Sequence, residues 1–259
     1  MSALPQSEKQ KFSLGEAVRL VVGYAVGLFL LYAFLIQPFY IPSGSMKSTL
    51  LVGDRLIVTK FSYGYSQYSL PFQPLSFSGR YFATPPERGD IVVFRAELDD
   101  ADSDFVKRIV GLPGDSIQMV NGVLHINGQA VKREAVPDYV GEDACAGGAT
   151  TVVTRVKQWR ETLPNGVSYN TLDCMPDGPL DSTPPVIVPA GHYFMMGDNR
   201  DNSTDSRVPE PEGFGSIPFE NILGRAQIIF FSIAEGEPGW QFWRWPWTVR
   251  WTRLLTVVR

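Results

Sequence analysis

Histidine is scarce in this chain. Only His125 and His192 occur among 259 residues, and neither sits in a cluster of metal-ligating side chains, which argues against a zinc centre with its three or four ligands. His125 falls inside an expected strand and His192 follows Pro189-Ala190-Gly191, so neither is placed to partner a nucleophilic serine. Cysteine is equally rare: Cys145 and Cys174 suit either one disulfide in an exported domain or two buried thiols. An excess of positive charge is missing as well, the net charge being −4, and with it any electrostatic case for nucleic acid. The chain has no G-x-S-x-G elbow at its candidate serine, and no strand–helix alternation that would suggest a parallel sheet.

One long apolar run stands out. Residues 20–36, LVVGYAVGLFLLYAFLI, carry no charge and would cover roughly 26 Å as a helix, close to the apolar thickness of a bilayer. A transmembrane anchor is expected over 17–37 after a tail of residues 1–16, with Arg19 snorkelling at one end and Gln37-Pro38 closing the other. A cleaved signal peptide is the alternative, since Ser43-Gly44-Ser45 is a small-x-small run. Against it, the apolar stretch exceeds the usual length, and bulky Phe39, Tyr40 and Ile41 separate the two. Charge does not orient the span, because Lys9, Lys11 and Arg19 precede it and Lys47, Arg55 and Lys60 follow.

Beyond the span the pattern is mainly β. Short β-branched runs at 55–60, 90–94 and 105–110 are followed by 116–120 and 123–126 around Asn121-Gly122, a strong hairpin signal, with Asn127-Gly128 as a second turn. Further strands are expected at 186–188, 193–196 and 227–232, and 61–86 reads as a surface excursion rich in Ser, Tyr, Phe and Pro. The expectation is an antiparallel, barrel-like catalytic domain from 38–134 and 186–259, interrupted by a hairpin-bearing insertion at 135–185. That insertion holds both cysteines, Gly147-Gly148, and the runs 151–159 and 166–172 around Pro164-Asn165-Gly166. In the tail 240–259, Trp243, Trp245, Trp247 and Trp251 interleave with Arg244, Arg250 and Arg253. The arginines exclude a second span, and the pattern fits either the headgroup zone or an aromatic edge of the core.

Ser45, in Ile41-Pro42-Ser43-Gly44-Ser45-Met46-Lys47, lies a few residues past the span and is the candidate nucleophile. With neither histidine placed for it, a lysine can serve as base if burial lowers its pKa; Lys107 is the candidate, its alternative reading being a lysine snorkelling from a sheet edge. Lys107 shares its strand face with Phe105 and Ile109, while Arg108 points the other way with Val106 and Val110. Bringing a lysine from about 10.4 to near neutrality costs roughly 4–5 kcal/mol, which requires burial and hydrogen bonding. Lys47 is the local rival, but Ser48 and Thr49 offer it no apolar cover, so it is expected to be solvated. A third feature is Gly197-Asp198-Asn199-Arg200-Asp201-Asn202-Ser203-Thr204-Asp205-Ser206-Arg207. Its bland reading is a turn-rich loop held by Asp–Arg pairs. Asp201, Ser203, Asp205 and Glu212 also fall at calcium-loop positions one, three, five and twelve, yet Ser206 replaces the required glycine and Pro209 and Pro211 interrupt the loop.

Three segments then occur in order after the span: Ser43-Gly44-Ser45-Met46, Phe105-Val106-Lys107-Arg108-Ile109-Val110-Gly111-Leu112-Pro113-Gly114-Asp115, and Gly197 to Arg207. Together with Gly53-Asp54 and Arg88-Gly89-Asp90-Ile91-Val92-Val93-Phe94, they resemble the bacterial type I signal (leader) peptidases, membrane-anchored Ser–Lys endopeptidases. The resemblance covers roughly residues 37–232, with 135–185 poorly matched. It implies Ser45 as nucleophile, Lys107 as general base, and an oxyanion hole from the Ser43 hydroxyl and the Ser45 N–H. It further implies that Ser203 orients the Lys107 amine and that Asp205 and Arg207 pair beneath the site. Ile41, Met46, Leu50, Phe105 and Val106 would line shallow pockets for small side chains at −3 and −1 of a preprotein. No metal or cofactor is implied. The implied partners are preprotein signal peptides, the lipid bilayer and the export machinery, with the N-terminus cytoplasmic and the catalytic domain on the outer, periplasmic side of the inner membrane. A binding module, or a chain that cleaves itself at Ser43-Gly44-Ser45, are the competing readings.

Overall fold

The computed structural model describes residues 13–71, 77–98, 101–142, 144–145 and 153–259. Most of the expected tail 1–16, part of the 61–86 excursion, Gly147-Gly148 and the first two residues of the 151–159 run therefore lie outside the described residues.

The chain opens with helix α1, Leu14–Leu30, started by a reciprocal cap in which Ser13 Oγ accepts the Glu16 N–H and the Glu16 carboxylate accepts the Ser13 N–H. The helix widens into a π turn over Leu31–Leu35. Residues 14–35 form the one helix among those described that is long and apolar enough to cross a membrane. It ends at Leu35 rather than at residue 37, because Gln37 precedes Pro38, whose ring disfavours helical geometry in its neighbour, and Ile36 is already extended at φ −134°.

There is no linker after the helix. Strand β1, Ile36–Tyr40, begins at the next residue and pairs antiparallel along its whole length with β2, Asp54–Thr59. β3, Ile91–Leu98, and β4, Ala101–Gly111, form a long hairpin that extends well past the expected 90–94 and 105–110. β5, Ser116–Val120, and β6, Val123–Ile126, flank Asn121-Gly122, both with positive φ (47° and 74°) as a tight hairpin turn demands, followed by β7, Gln129–Ala130. Then come β8, Lys132–Glu142, β9, Val153–Thr162, and β10, Ser168–Asp173. The remaining strands are β11, Val186–Ile187, β12, His192–Met196, β13, Ile217–Pro218, β14, Ile222–Ser232, and β15, Thr256–Val257.

The main sheet runs β1-β2-β14-β3-β4-β12-β13, with β15 also paired to β14. Its named pairings are all antiparallel, as the sequence predicts. Smaller sheets are β11-β5-β6-β7 and β10-β9-β8. The second of these is the hairpin-bearing insertion, and it starts at Lys132, slightly before the expected residue 135. β4 is sandwiched by apolar clusters. Phe105 and Ile109 pack with Val92, Phe94 and Phe214, and Val106 packs with Ile41, Met46, Leu50 and Ile91. That double cover is what makes a charged residue on β4 costly, and therefore informative.

The tail differs from a simple Trp–Arg interfacial stripe. Arg250 donates to the carbonyls of Val52 and Ile233, and Arg253 donates to the Asp54 carboxylate and the Thr49 carbonyl, so these two arginines fasten the tail to the core. Trp245 packs on Phe231, whereas Trp240, Trp243, Trp247 and Trp251 are exposed.

Candidate active site

Ser45 sits in a 3-10 turn, Gly44–Met46, reached from β1 through Ile41, Pro42 and Ser43. The approach is fixed by backbone bonds between Ile41 and the Gly53-Asp54 turn at 2.9 and 3.0 Å, where Gly53 has φ +92°. Asn199 holds the turn from the opposite side: its N–H donates to the Ser45 carbonyl at 3.1 Å and its Nδ2 to the Gly44 carbonyl at 3.0 Å.

Lys107 comes from β4, opposite Val92 of β3. Its side chain is nearly sealed, at 3 % exposure, and Nζ lies 2.7 Å from Ser45 Oγ and 3.2 Å from the Val106 carbonyl. Burial pulls the amine from 10.5 down to about 8, with Arg207 adding to the fall and the Asp205 and Asp198 carboxylates opposing it. A serine hydroxyl and a partly neutral amine in contact are the arrangement that a nucleophile–base pair requires. The Ser43 hydroxyl stands 3.4 Å from Ser45 Oγ.

The loop over residues 197–207 forms the floor of the site. Asp205 and Arg207 make the expected pair, in two-pronged form at 2.8 and 2.9 Å, and Asp205 also accepts the Gly197 N–H. Burial alone would raise the Asp205 carboxyl, but Arg207 outweighs it and holds the group below the usual carboxylate range. Asp201 accepts the N–H groups of Cys174 and Met175 and Asp205 is committed to Arg207, so two of the four calcium-loop positions serve the fold instead.

Three expectations need correcting. Ser203 is buried close to the site, but the expected bond from its hydroxyl to Lys107 is not formed; the hydroxyl faces the Asp205 carboxylate and helps hold it charged. The loop's Oγ packs against Gly197 instead, at a distance that leaves no space for a Cβ there. Leu50 does not line a pocket: fully buried, it belongs to the core under the site, because the chain turns back after Met46 with the Leu50 N–H bonded to the Met46 carbonyl. Lys47 is not solvated. It is buried and pairs with Glu235 at 3.5 Å, a partner distant in sequence that no local reading could supply.

Ile41, Met46, Phe105 and Val106 do line a depression of about 330 Å³ on one side of the Ser45–Lys107 pair, walled by residues 39–43 and 103–106. A second depression of about 410 Å³ lies on the other side, reached by Leu180, Asp201, Asn202, Thr204 and Val208. The two share Ser43, Ser45, Phe105 and Lys107, so the pair sits between them.

Sequence reasoning missed several supports. Arg108, fully buried, forms a two-pronged bond with Asp198 at 2.8 and 2.7 Å and lies over the Tyr169 ring at 4.0 Å. Arg200 pairs with Glu161 of β9, which Tyr169 also reaches. Asn199 Nδ2 bonds Ala144, next to Cys145, and Cys145 is joined to Cys174, which decides between the two cysteine readings in favour of the disulfide. The signal was present for Asp198, Asn199 and Arg200, which lie inside the segment already singled out. For Glu161 and Tyr169 there was none. His125 and His192 each bond a carbonyl two residues away, Val123 and Ala190.

Comparisons by sequence agree with one another. The family model described as "Signal peptidase, peptidase S26" matches residues 14–231. The chain is similar to signal peptidase I of Rickettsia typhi, at 44 % identity over 76 % of this chain and 73 % of that protein. It is similar to signal peptidase I of Rickettsia prowazekii at 43 % identity over the same shares. Among solved structures, a signal peptidase I from Enterococcus faecalis aligns with 55 % of this chain and 97 % of its own at 23 % identity and a TM-score of 0.30, a likeness too slight to carry an argument.

Proposed function

This chain belongs to the signal peptidase family, peptidase S26, and from that premise we propose that it removes signal peptides with a Ser45–Lys107 dyad while anchored in the membrane by residues 14–35. The family supports a serine peptidase hydrolase acting on preprotein signal peptides. The observation that carries the finer reading is the 2.7 Å contact between a sealed lysine amine and Ser45 Oγ.

In this mechanism neutral Lys107 takes the Ser45 proton as Oγ bonds to the scissile carbonyl carbon. The carbonyl oxygen becomes an oxyanion, met by the Ser45 N–H and the Ser43 hydroxyl, donors whose individual loss typically costs on the order of 10²–10³ in rate. The tetrahedral carbon expels the amine, which takes the proton from Lys107. Water, deprotonated by the now neutral Lys107 amine, then attacks the ester carbonyl, and the C–O bond to Ser45 breaks as Lys107 returns the proton to Oγ, releasing the signal peptide with a free carboxylate. The substrate lies extended along the walls at 39–43 and 103–106, with small residues at −1 and −3 facing Ile41, Met46, Phe105 and Val106. Asp205 and Arg207 brace the floor, and Ser203 fills space beneath it. The N-terminus is cytoplasmic, the catalytic domain lies on the outer face near the export machinery, and the exposed tryptophans of the tail rest in the headgroup zone.

The test is cleavage of a model preprotein in detergent by wild type, Ser45→Ala and Lys107→Ala. Both variants should remain folded and lose cleavage. Full activity in Lys107→Ala would remove the base assignment and return attention to Lys47.

A further inference from the structure

The end of the membrane helix is unusually well held. A helix leaves its last carbonyls without intrahelical partners, and inside or beside hydrocarbon such groups have no water to turn to. Here three consecutive carbonyls, those of Ala33, Phe34 and Leu35, are each met by the catalytic domain. Lys60 Nζ donates to Ala33 at 3.4 Å, Tyr65 Oη donates to Phe34 at 2.8 Å, and the Lys60 N–H donates to Leu35 at 3.0 Å. Ring contacts reinforce the bonds. Lys60 Nζ lies 5.0 Å from the centre of the Tyr32 ring, and the Phe34 and Tyr65 rings meet edge to face at 6.1 Å. Lys60 is 1 % exposed, and Ala33 is buried although the rest of the helix surface is not.

Neither side chain belongs to the dyad, its floor or its depressions. Both lie on the segment that leaves β2, and β2 is the strand against which β1 is zipped, from Ile36 opposite Thr59 to Tyr40 opposite Arg55. β1 runs on into Ile41 and the Ser45 turn. Helix, clasp and nucleophile are thus one mechanical unit, with Ile36 as the point where a hinge would open if the clasp were cut.

We propose that Lys60 and Tyr65 are positioning residues: by clasping the last turn of the anchor they set the height and tilt at which the Ser45 groove meets a substrate that is itself held in the bilayer. The proposal rests on the membrane-anchored peptidase reading above. It concerns only substrates whose depth is fixed. A short soluble peptide can adjust to a tilted groove, and a preprotein threaded through the membrane cannot.

The experiment compares wild type with Lys60→Met, Tyr65→Phe and the double variant, each full-length in phosphatidylethanolamine/phosphatidylglycerol vesicles. The two substrates are a membrane-inserted preprotein and a soluble peptide carrying the same cleavage site. Misplacement by about an ångström can cost about 10²-fold in rate, so the double variant should lose at least about tenfold in kcat/KM on the inserted preprotein. It should also produce cuts one or two residues from the normal site, while its rate on the soluble peptide stays within about twofold of wild type. Equal rates on both substrates in all four proteins would overturn the proposal. So would a parallel loss on both, which would mean that the residues only hold the fold. A wild-type chain that cut neither substrate would sink the peptidase reading, and this inference with it.

Discussion

Lys107 offers the sharpest test of the chemistry, because its protonation can be read in rate and in stability. Its amine falls from 10.5 to about 8 through burial. At pH 7 an ordinary lysine would be neutral in about 1 molecule in 3,000, and this one in about 1 in 11, a gain near 300-fold in competent enzyme. In the proposed mechanism the neutral form is the base, so kcat/KM on a soluble peptide should climb about tenfold per pH unit below 8 and flatten above it. Lys107→Arg keeps its proton at every pH and should be inactive throughout. Stability should move in the same direction. The folded state binds the proton less tightly than the unfolded chain, so the wild type gains stability as pH rises from about 8 to 10.5, by about 3 kcal/mol in total. Lys107→Met has no such group. It should melt at higher temperature than wild type at pH 7, with a gap that narrows above pH 8 and closes by about 10.5. Stopped peptide assays and thermal melts across pH provide both curves. A flat rate profile through pH 8, an inflection near 10.5, or an active Lys107→Arg would refute the reasoning.

Further outcomes follow from particular contacts. Asn199→Leu should remove the side-chain bonds to the Gly44 and Ala144 carbonyls while keeping the backbone bond to Ser45, lowering kcat more than it raises KM and costing about 0.5–1.5 kcal/mol per lost bond in urea unfolding. Leu50→Ala should cost about 2–5 kcal/mol by cavity formation yet leave the −1 and −3 preferences unchanged, whereas Val106→Phe should narrow them, as a peptide library would show. Arg108→Met strands the Asp198 carboxylate in the interior and should destabilise by about 3–5 kcal/mol, more than Arg95→Met on the exposed end of β3. Reducing the Cys145–Cys174 bond, which closes a sequence separation of 29, should lower stability by about 2–4 kcal/mol in denaturant titrations with and without reductant.

What could be read in the sequence follows the range of the forces involved. The β5–β6 hairpin is set by Asn121-Gly122 and neighbouring alternation, and its bounds match the expected 116–120 and 123–126. Lys107 could be singled out because its own strand supplies Phe105 and Ile109 as cover. Strand lengths were underestimated where a long partner extends them: β14 starts at Ile222 rather than 227 because β3 pairs with that end. Lys47 and Leu50 were misjudged because their burial depends on Glu235 and on a core gathered from β2, β3 and β14. Ser203 was placed by resemblance, and loop packing against Gly197 aims its hydroxyl elsewhere.

Three of the interior ion pairs share one property: each draws on the loop at residues 197–207. Arg207 with Asp205 lies wholly within residues 197–207, while Arg108 with Asp198 and Arg200 with Glu161 each join that segment to a separate strand. A chain that has docked only some of these pieces holds a naked charge in a dry interior, which is far less stable than either the finished or the open state. Partly assembled forms should therefore be sparsely populated. Ser45 receives its brace from Asn199 in that same loop, so the nucleophile is completed in the step that neutralises the charges. Competence to cut peptide bonds would then arrive all at once, and a half-folded chain would be harmless to its neighbours.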